Sequence, residues 1–158
     1  PRYKHRPDGK GIGPEVVPVK MPDGSIEQVH TFGWYMAHFV DTATAKGATV
    51  ILCAPIPHKQ RWEQGRDFAN VAKWDKEVAD AHGALFMDLT MVITDAYKKV
   101  GTEKVEKLFG DKGTHTNDAG AGFNAKCVVS GLKSLPGDPL GPFLSDKGKA
   151  VETYHGAN

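Results

Sequence analysis

One loop of this sequence combines residue types that can carry acid–base chemistry. His115 lies in the stretch Gly113-Thr114-His115-Thr116-Asn117, directly before a helical pattern, and Asp111 stands four residues upstream. A histidine near its unperturbed pKa can take up and return a proton, and a carboxylate on its far ring nitrogen fixes the tautomer. His115 and Asp111 are therefore the candidate catalytic residues. On spacing alone, a surface histidine beside a capping residue remains the alternative.

The elements around that loop alternate between helices and short strands. A hairpin is predicted at about residues 15–31, where two β-prone runs flank Pro22-Asp23-Gly24-Ser25. Apolar runs at Thr49–Ala54 and Ala84–Leu89 predict strands buried on both faces, as in a parallel sheet. Helical periods begin near Phe32 and Phe68, and further helices are predicted over Met91–Val100, Thr102–Phe109 and Ala121–Leu135.

This alternation predicts an α/β fold with a parallel sheet. Two parallel strands alone leave long unpaired edges and little core, so we expect the remaining strands to come from residues outside this sequence. Residues 1–135 are predicted to be the C-terminal part of one domain. Residues 136–158, where Pro and Gly dominate, are predicted to be an irregular surface extension.

Composition and charge exclude several classes of function. The chain has 158 residues, 40% hydrophobic and 25% charged, with a net charge of +1 at pH 7, the balance of an ordinary globular domain. The sequence has no basic stripe of the kind that binds nucleic acid. No apolar run approaches the roughly 20 residues that span a membrane. Cys53 and Cys127 form no Cys-x-x-Cys pair, and the histidines lack metal-ligand spacing. We expect two buried thiols, with a disulfide between them left open, and no metal site.

Four blocks resemble conserved segments of SGNH (GDSL-type) hydrolases, and of the rhamnogalacturonan acetylesterase family in particular. They are Ala45-Lys46-Gly47-Ala48-Thr49-Val50-Ile51-Leu52, Trp62-Glu63-Gln64-Gly65, Phe86-Met87-Asp88-Leu89 and Leu108 through Ala121. The similarity runs from about Phe32 to Leu135, and the order and spacing of the blocks make it fairly specific.

The resemblance implies a three-layer α/β/α fold, of which this chain holds the fourth and fifth strands. It implies removal of acetyl groups from plant cell-wall polysaccharide, such as rhamnogalacturonan-like pectin, without a metal or other cofactor. It also implies a secreted or periplasmic location. His115 matches the family's general base. The family's Gly-Asp-Ser nucleophile block, oxyanion Gly and Gly-x-Asn-Asp block precede the matched region and are absent here. We therefore expect the serine in an N-terminal half, either a missing segment or a separate chain.

A second departure from the family concerns the acid. In the family it stands three residues before the His, a position that Lys112 occupies here, and Asp111 is one residue further away. Either the loop is re-registered so that Asp111 reaches His115, or the acid is lost. In the second case an ammonium beside the base would disfavour the imidazolium that forms during catalysis.

Two further residues follow the first core strand at the edge where open α/β sheets bind ligands. We expect Trp62 to stack on a sugar ring and Arg61 to face a uronic carboxylate. Packing of Trp62 beneath its own loop is an equal alternative.

Two hypotheses for the function follow. In the first, the parent protein is a carboxylic-ester hydrolase acting on acetylated polysaccharide, and this chain alone is inactive. In the second, the chain is a non-catalytic SGNH-like module that binds carbohydrate or a partner, or an inactive fragment.

Overall fold

The computed structural model describes residues 10–64 and 67–156. Its elements in chain order are β1 (Val16–Lys20), β2 (Ile26–His30), α1 (Phe32–Thr44), β3 (Ile51–Cys53), α2 (Ala69–His82), β4 (Leu85–Met87), α3 (Leu89–Val100), α4 (Thr102–Glu106), α5 (Asp118–Lys133), a 3₁₀ turn (Gly141–Phe143) and α6 (Asp146–Lys149). Helices and a small parallel sheet confirm the predicted α/β class.

The predicted hairpin is present. Strands β1 and β2 pair antiparallel, with Val16 opposite His30 at the open end and Lys20 opposite Ile26 at the turn. Asp23 closes the turn, because its Oδ1 accepts hydrogen bonds from the Ser25 amide (3.0 Å) and hydroxyl (2.6 Å). The Asp-Gly signal in the sequence was therefore sufficient to predict this element.

Strands β3 and β4 form the parallel sheet and are shorter than predicted. The amide of Leu85 donates to Val50 O (2.9 Å) and that of Ala54 to Met87 O (3.1 Å), so the partners advance in the same direction along both segments. The second strand ends at Met87 because Asp88 caps α3, accepting the amide of Met91 at 3.2 Å. Leu89, predicted to end the strand, is instead the first residue of that helix.

The chain divides into two compact units, which are Pro1–Leu52 with Lys73–Leu85 and Cys53–Ala72 with Phe86–Asn158. The core of the first unit includes the buried side chains of Val40, Val78 and Ala79. The core of the second unit is built around Tyr97 and Ile93, which are fully buried. That residues 1–135 belong to a single domain stays a prediction.

The C-terminal segment is more ordered than predicted. It contains the 3₁₀ turn and α6, which Ser145 caps by accepting the amide of Gly148 at 3.3 Å. Tyr154 ties the segment to the rest of its unit, since its amide donates to Ser130 O (3.1 Å) and its hydroxyl to Asp95 Oδ2 (2.8 Å). The two hydrogen bonds of Tyr154 could not be predicted from the composition of this segment, because their partners lie far away in the sequence.

The expectation of two buried thiols was half wrong. Cys127 is buried, and burial raises its pKa to about 11 because the thiolate would lose its hydration. Cys53 is exposed, and no disulfide joins the two.

Asp75 on α2 gives the first unit a pH-dependent stability. It is 3% exposed and no described residue bonds to its Oδ1. Burial raises its pKa from 3.8 to about 6, because the charged form loses water without gaining a partner. A folded-state pKa above the unfolded value means that protonated Asp75 favours folding. This contribution is fully present below about pH 4 and is lost as the pH rises through about 6.

We therefore expect Asp75→Asn to raise the free energy of unfolding by about 1–3 kcal/mol at pH 7 and to change it little at pH 4. Urea denaturation at the two pH values measures the difference. The matched control is Asp80→Asn on the exposed face of the same helix, where the carboxylate pairs with Lys76 at 2.7 Å. The control should shift stability by less than about 1 kcal/mol. Equal effects of Asp75→Asn at both pH values would contradict the assignment.

Candidate active site

The loop that carries His115 is closed by backbone hydrogen bonds at its base. Phe109 and Thr116 form an isolated antiparallel bridge. The amide of Gly110 donates to His115 O at 2.8 Å, and the amide of Asn117 donates to Leu108 O at 3.0 Å. As predicted, His115 lies outside regular helix and strand, immediately before α5.

The first turn of α5 fixes the end of this loop. Asn117 caps the helix, because its side-chain Oδ1 accepts the Gly120 amide (3.0 Å), and its side-chain Nδ2 donates to Lys107 O (2.8 Å). A Cβ on Gly120 would lie 2.0 Å from Leu108 O, so only glycine allows this approach. The helix therefore holds the loop from one side.

Asp111 organises the loop around its carboxylate. Oδ1 accepts the amides of Gly113 (2.8 Å), Thr114 (2.8 Å) and His115 (3.1 Å), and Oδ2 contacts Nδ1 of His115. The hydrogen bond from the Gly113 amide, then that from the His115 ring, hold the pKa of Asp111 well below its usual range. The group is therefore a carboxylate at any neutral pH, which fixes the ring orientation.

Of the two alternatives for the acid, the structure shows the one in which Asp111 reaches His115. The Asp111 carboxylate contacts the ring because the chain turns tightly over Lys112 and Gly113. Lys112 is exposed and makes no ion pair with any described residue. Asp118 lies in the first turn of α5, where its charge suits the positive end of the helix dipole.

The His115 ring is accessible. Its side chain is 83% exposed, while that of Asp111 is 41% exposed. With Nδ1 on Asp111, Nε2 is the nitrogen that can exchange a proton with a reacting group. The geometry therefore suits a general base, and the catalytic role of the pair stays a prediction.

Of the two predicted substrate-binding residues, the structure leaves only Arg61 at the surface. Trp62 is 6% exposed and meets the Tyr97 ring edge-on at 5.6 Å, so it packs beneath its own loop. Stacking of Trp62 on a sugar is thus the alternative that the structure disfavours. Arg61 is exposed, and its role in binding stays a prediction. Gly65, in the same block, lies outside the described residues.

A second histidine–aspartate pair was missed from the sequence. His58 follows the C-terminal end of β3, and its Nδ1 lies 2.8 Å from Oδ2 of Asp67. The two residues are nine positions apart, a spacing that predicts no contact between them, so the sequence gave no direct signal. The position of His58 just beyond a predicted core strand was the one available clue.

The hydroxyl of each of the four serines of the sequence is hydrogen-bonded to another residue. Ser25 bonds to Asp23, Ser130 to Glu152 O and Ser134 to Gly131 O, while Ser145 caps α6. Within residues 10–64 and 67–156, no cluster of His, Cys, Asp and Glu is arranged to hold a metal ion. Nor does any helix in those ranges have the length and apolar character to cross a bilayer.

Comparison with known proteins found similarity at the level of structure. No family model matches the chain, and no curated protein matches it. The crystal structure of protein YxiM from Bacillus subtilis is similar, with a TM-score of 0.56 and 25% sequence identity over 62% of this chain. The chain spans 29% of the length of that protein. The similarity supports the mixed α/β architecture.

Proposed function

We propose that this chain is the C-terminal part of an SGNH (GDSL-type) serine esterase, similar to rhamnogalacturonan acetylesterases, that removes acetyl groups from plant cell-wall polysaccharide. The observation that carries the proposal is the His115–Asp111 contact in an exposed loop before a capped helix. This contact supports the proposal independently of the four sequence blocks, which resemble family segments and occur in the same order. A polysaccharide substrate of this kind goes with a secreted or periplasmic enzyme.

The mechanism assigns one role to each member of the pair. A serine from the N-terminal half attacks the acetyl carbonyl, and His115 Nε2 takes the serine proton. His115 then returns this proton to the departing sugar oxygen, which leaves an acetyl-serine. In the second half His115 activates a water that releases acetate and regenerates the serine. Asp111 holds Nδ1 and stabilises the imidazolium in both halves. Backbone and amide donors for the oxyanion come from the same N-terminal half.

A non-catalytic carbohydrate-binding or partner-binding module is the second candidate. Two observations favour it. Lys112 occupies the position of the family acid, and the hydroxyls of the four serines are engaged elsewhere. Such a module would bind acetylated polysaccharide without releasing acetate.

Two measurements on the full-length natural protein test the esterase proposal. We expect release of acetate from O-acetylated rhamnogalacturonan, and covalent labelling by a fluorophosphonate on a serine outside the 158 residues. A serine activated by His115 is the nucleophile that such a probe traps. Binding of the polysaccharide with neither acetate release nor labelling would contradict the esterase and support the binding module. Labelling at one of the four serines within the 158 residues would contradict the proposal that the nucleophile comes from an N-terminal half.

A further inference from the structure

In the His58–Asp67 pair, a buried carboxylate holds a partly exposed imidazole in one orientation. The Asp67 side chain is 5% exposed and that of His58 is 33% exposed. Asp67 Oδ2 accepts both the amide of His58 (2.9 Å) and its ring Nδ1 (2.8 Å). One carboxylate therefore fixes the backbone and the ring of the same residue.

The charge state of Asp67 supports this arrangement. Burial by itself raises the pKa of Asp67, but the hydrogen bonds from the amide and ring of His58 outweigh it, so the pKa is lowered on balance. A carboxylate on Nδ1 keeps the proton of a neutral imidazole on that nitrogen. The Nε2 lone pair is then an acceptor, and no described residue bonds to it.

The residue after Asp67 is held against its backbone preference. Phe68 has a φ of 53°, in the left-handed region that costs a bulky residue about 1–2 kcal/mol. Its ring stacks on the His58 imidazole, with centroids 4.8 Å apart and planes at 29°. Strained residues of this kind cluster at binding and catalytic sites, because the surroundings keep them there.

The His58 loop is fastened to the His115 loop. The amide of Lys59 donates to Gly113 O at 2.9 Å, two residues before His115. The Lys59 ammonium is 2.7 Å from Glu106 and lies over the Phe109 ring at 5.9 Å. The imidazoles of His58 and His115 thus lie on two neighbouring loops of one unit, which contact each other directly.

From these contacts we propose that His58 is a substrate-positioning residue, whose Nε2 accepts a hydrogen bond from a hydroxyl group of the sugar that bears the ester. Asp67 and Phe68 hold the ring in place for this contact. The choice of a sugar as ligand rests on the proposed function. The orientation of the His58 ring is observed independently of that proposal. A sugar hydroxyl suits the site because it can donate to a neutral imidazole and needs no counter-charge.

The test separates the ring's contact with Asp67 from its contact with the sugar. His58→Asn places an amide where Nδ1 lies, so it keeps a donor to Asp67 and removes Nε2. The matched control is His82→Asn in the other unit, where Nδ1 bonds to Asp41 at 2.8 Å and the side chain is 32% exposed. Both changes are made in the full-length protein carrying His115→Ala, so that turnover does not consume the probe.

Calorimetric titration with O-acetylated rhamnogalacturonan oligosaccharides should show Kd raised about tenfold by His58→Asn, as expected for loss of one hydrogen bond. The control should change Kd by less than about twofold. Without oligosaccharide, His58→Asn should melt within a few degrees of its parent, because the bond to Asp67 is kept. An unchanged Kd would overturn the proposal and show that the contact of His58 with Asp67 is purely structural.

Failure of the esterase proposal gives a different result. If the protein with an intact His115 releases no acetate but His58→Asn still weakens oligosaccharide binding, the esterase proposal fails and His58 remains a binding residue. If acetate is released and Kd is unaffected by His58→Asn, the esterase stands and the His58 assignment fails.

Discussion

Replacing His115 by alanine should lower kcat for acetyl-ester hydrolysis by about 10³-fold or more in the full-length protein. In the proposed mechanism the ring takes the serine proton and returns it, and loss of a triad base typically has an effect of this size. Asp111→Asn should be damaging as well, because an amide can present the wrong partner to Nδ1 and favour the wrong tautomer. The measurement is the initial rate of acetate release from O-acetylated rhamnogalacturonan.

The control for this prediction is His155→Ala. His155 is an exposed histidine of the same unit near the C-terminus, so the change removes an equivalent surface imidazole. It should leave kcat within about twofold, since His155 has no role in the proposed mechanism and surface substitutions usually change stability little. Hydrolysis that survives His115→Ala at a comparable rate would show that another residue is the base.

Truncating Tyr97 should have the largest effect on stability. Its side chain is fully buried in the second unit, where the ring lies 5.6 Å from Trp62, 5.6 Å from Phe123 and 6.2 Å from Phe109. The hydroxyl donates to Asn124 Oδ1 at 3.3 Å. We expect Tyr97→Ala to lower the free energy of unfolding by about 3–5 kcal/mol, the usual cost of removing a buried aromatic ring.

Tyr97→Phe separates the ring from its hydroxyl. This variant keeps the ring contacts and removes one long hydrogen bond, so it should cost only about 1 kcal/mol. Urea denaturation of both variants gives the comparison. Similar losses for Tyr97→Ala and Tyr97→Phe would mean that the hydrogen bond to Asn124, rather than the ring, stabilises this core.

The sequence by itself determined the elements whose signals are local. The Asp-Gly turn predicted the hairpin, because Asp23 bonds to residues only two positions away. The helix after His115 was predictable because its period and its cap, Asn117, lie within one stretch of chain. The contact between Asp111 and His115 was within reach for the same reason, since only three residues separate them in the chain.

Tertiary structure alone decided the features that depend on distant partners. Trp62 could equally have faced a ligand, and it is buried because Tyr97, 35 positions later, offers a ring to pack against. His58 and Asp67 are nine positions apart, and their side chains meet in a hydrogen bond beside Phe68, whose φ is 53°. Periodicity and composition report which side chains prefer burial, but not which groups meet. That choice is made by the packing of the whole unit, in which distant contacts outweigh local backbone preference.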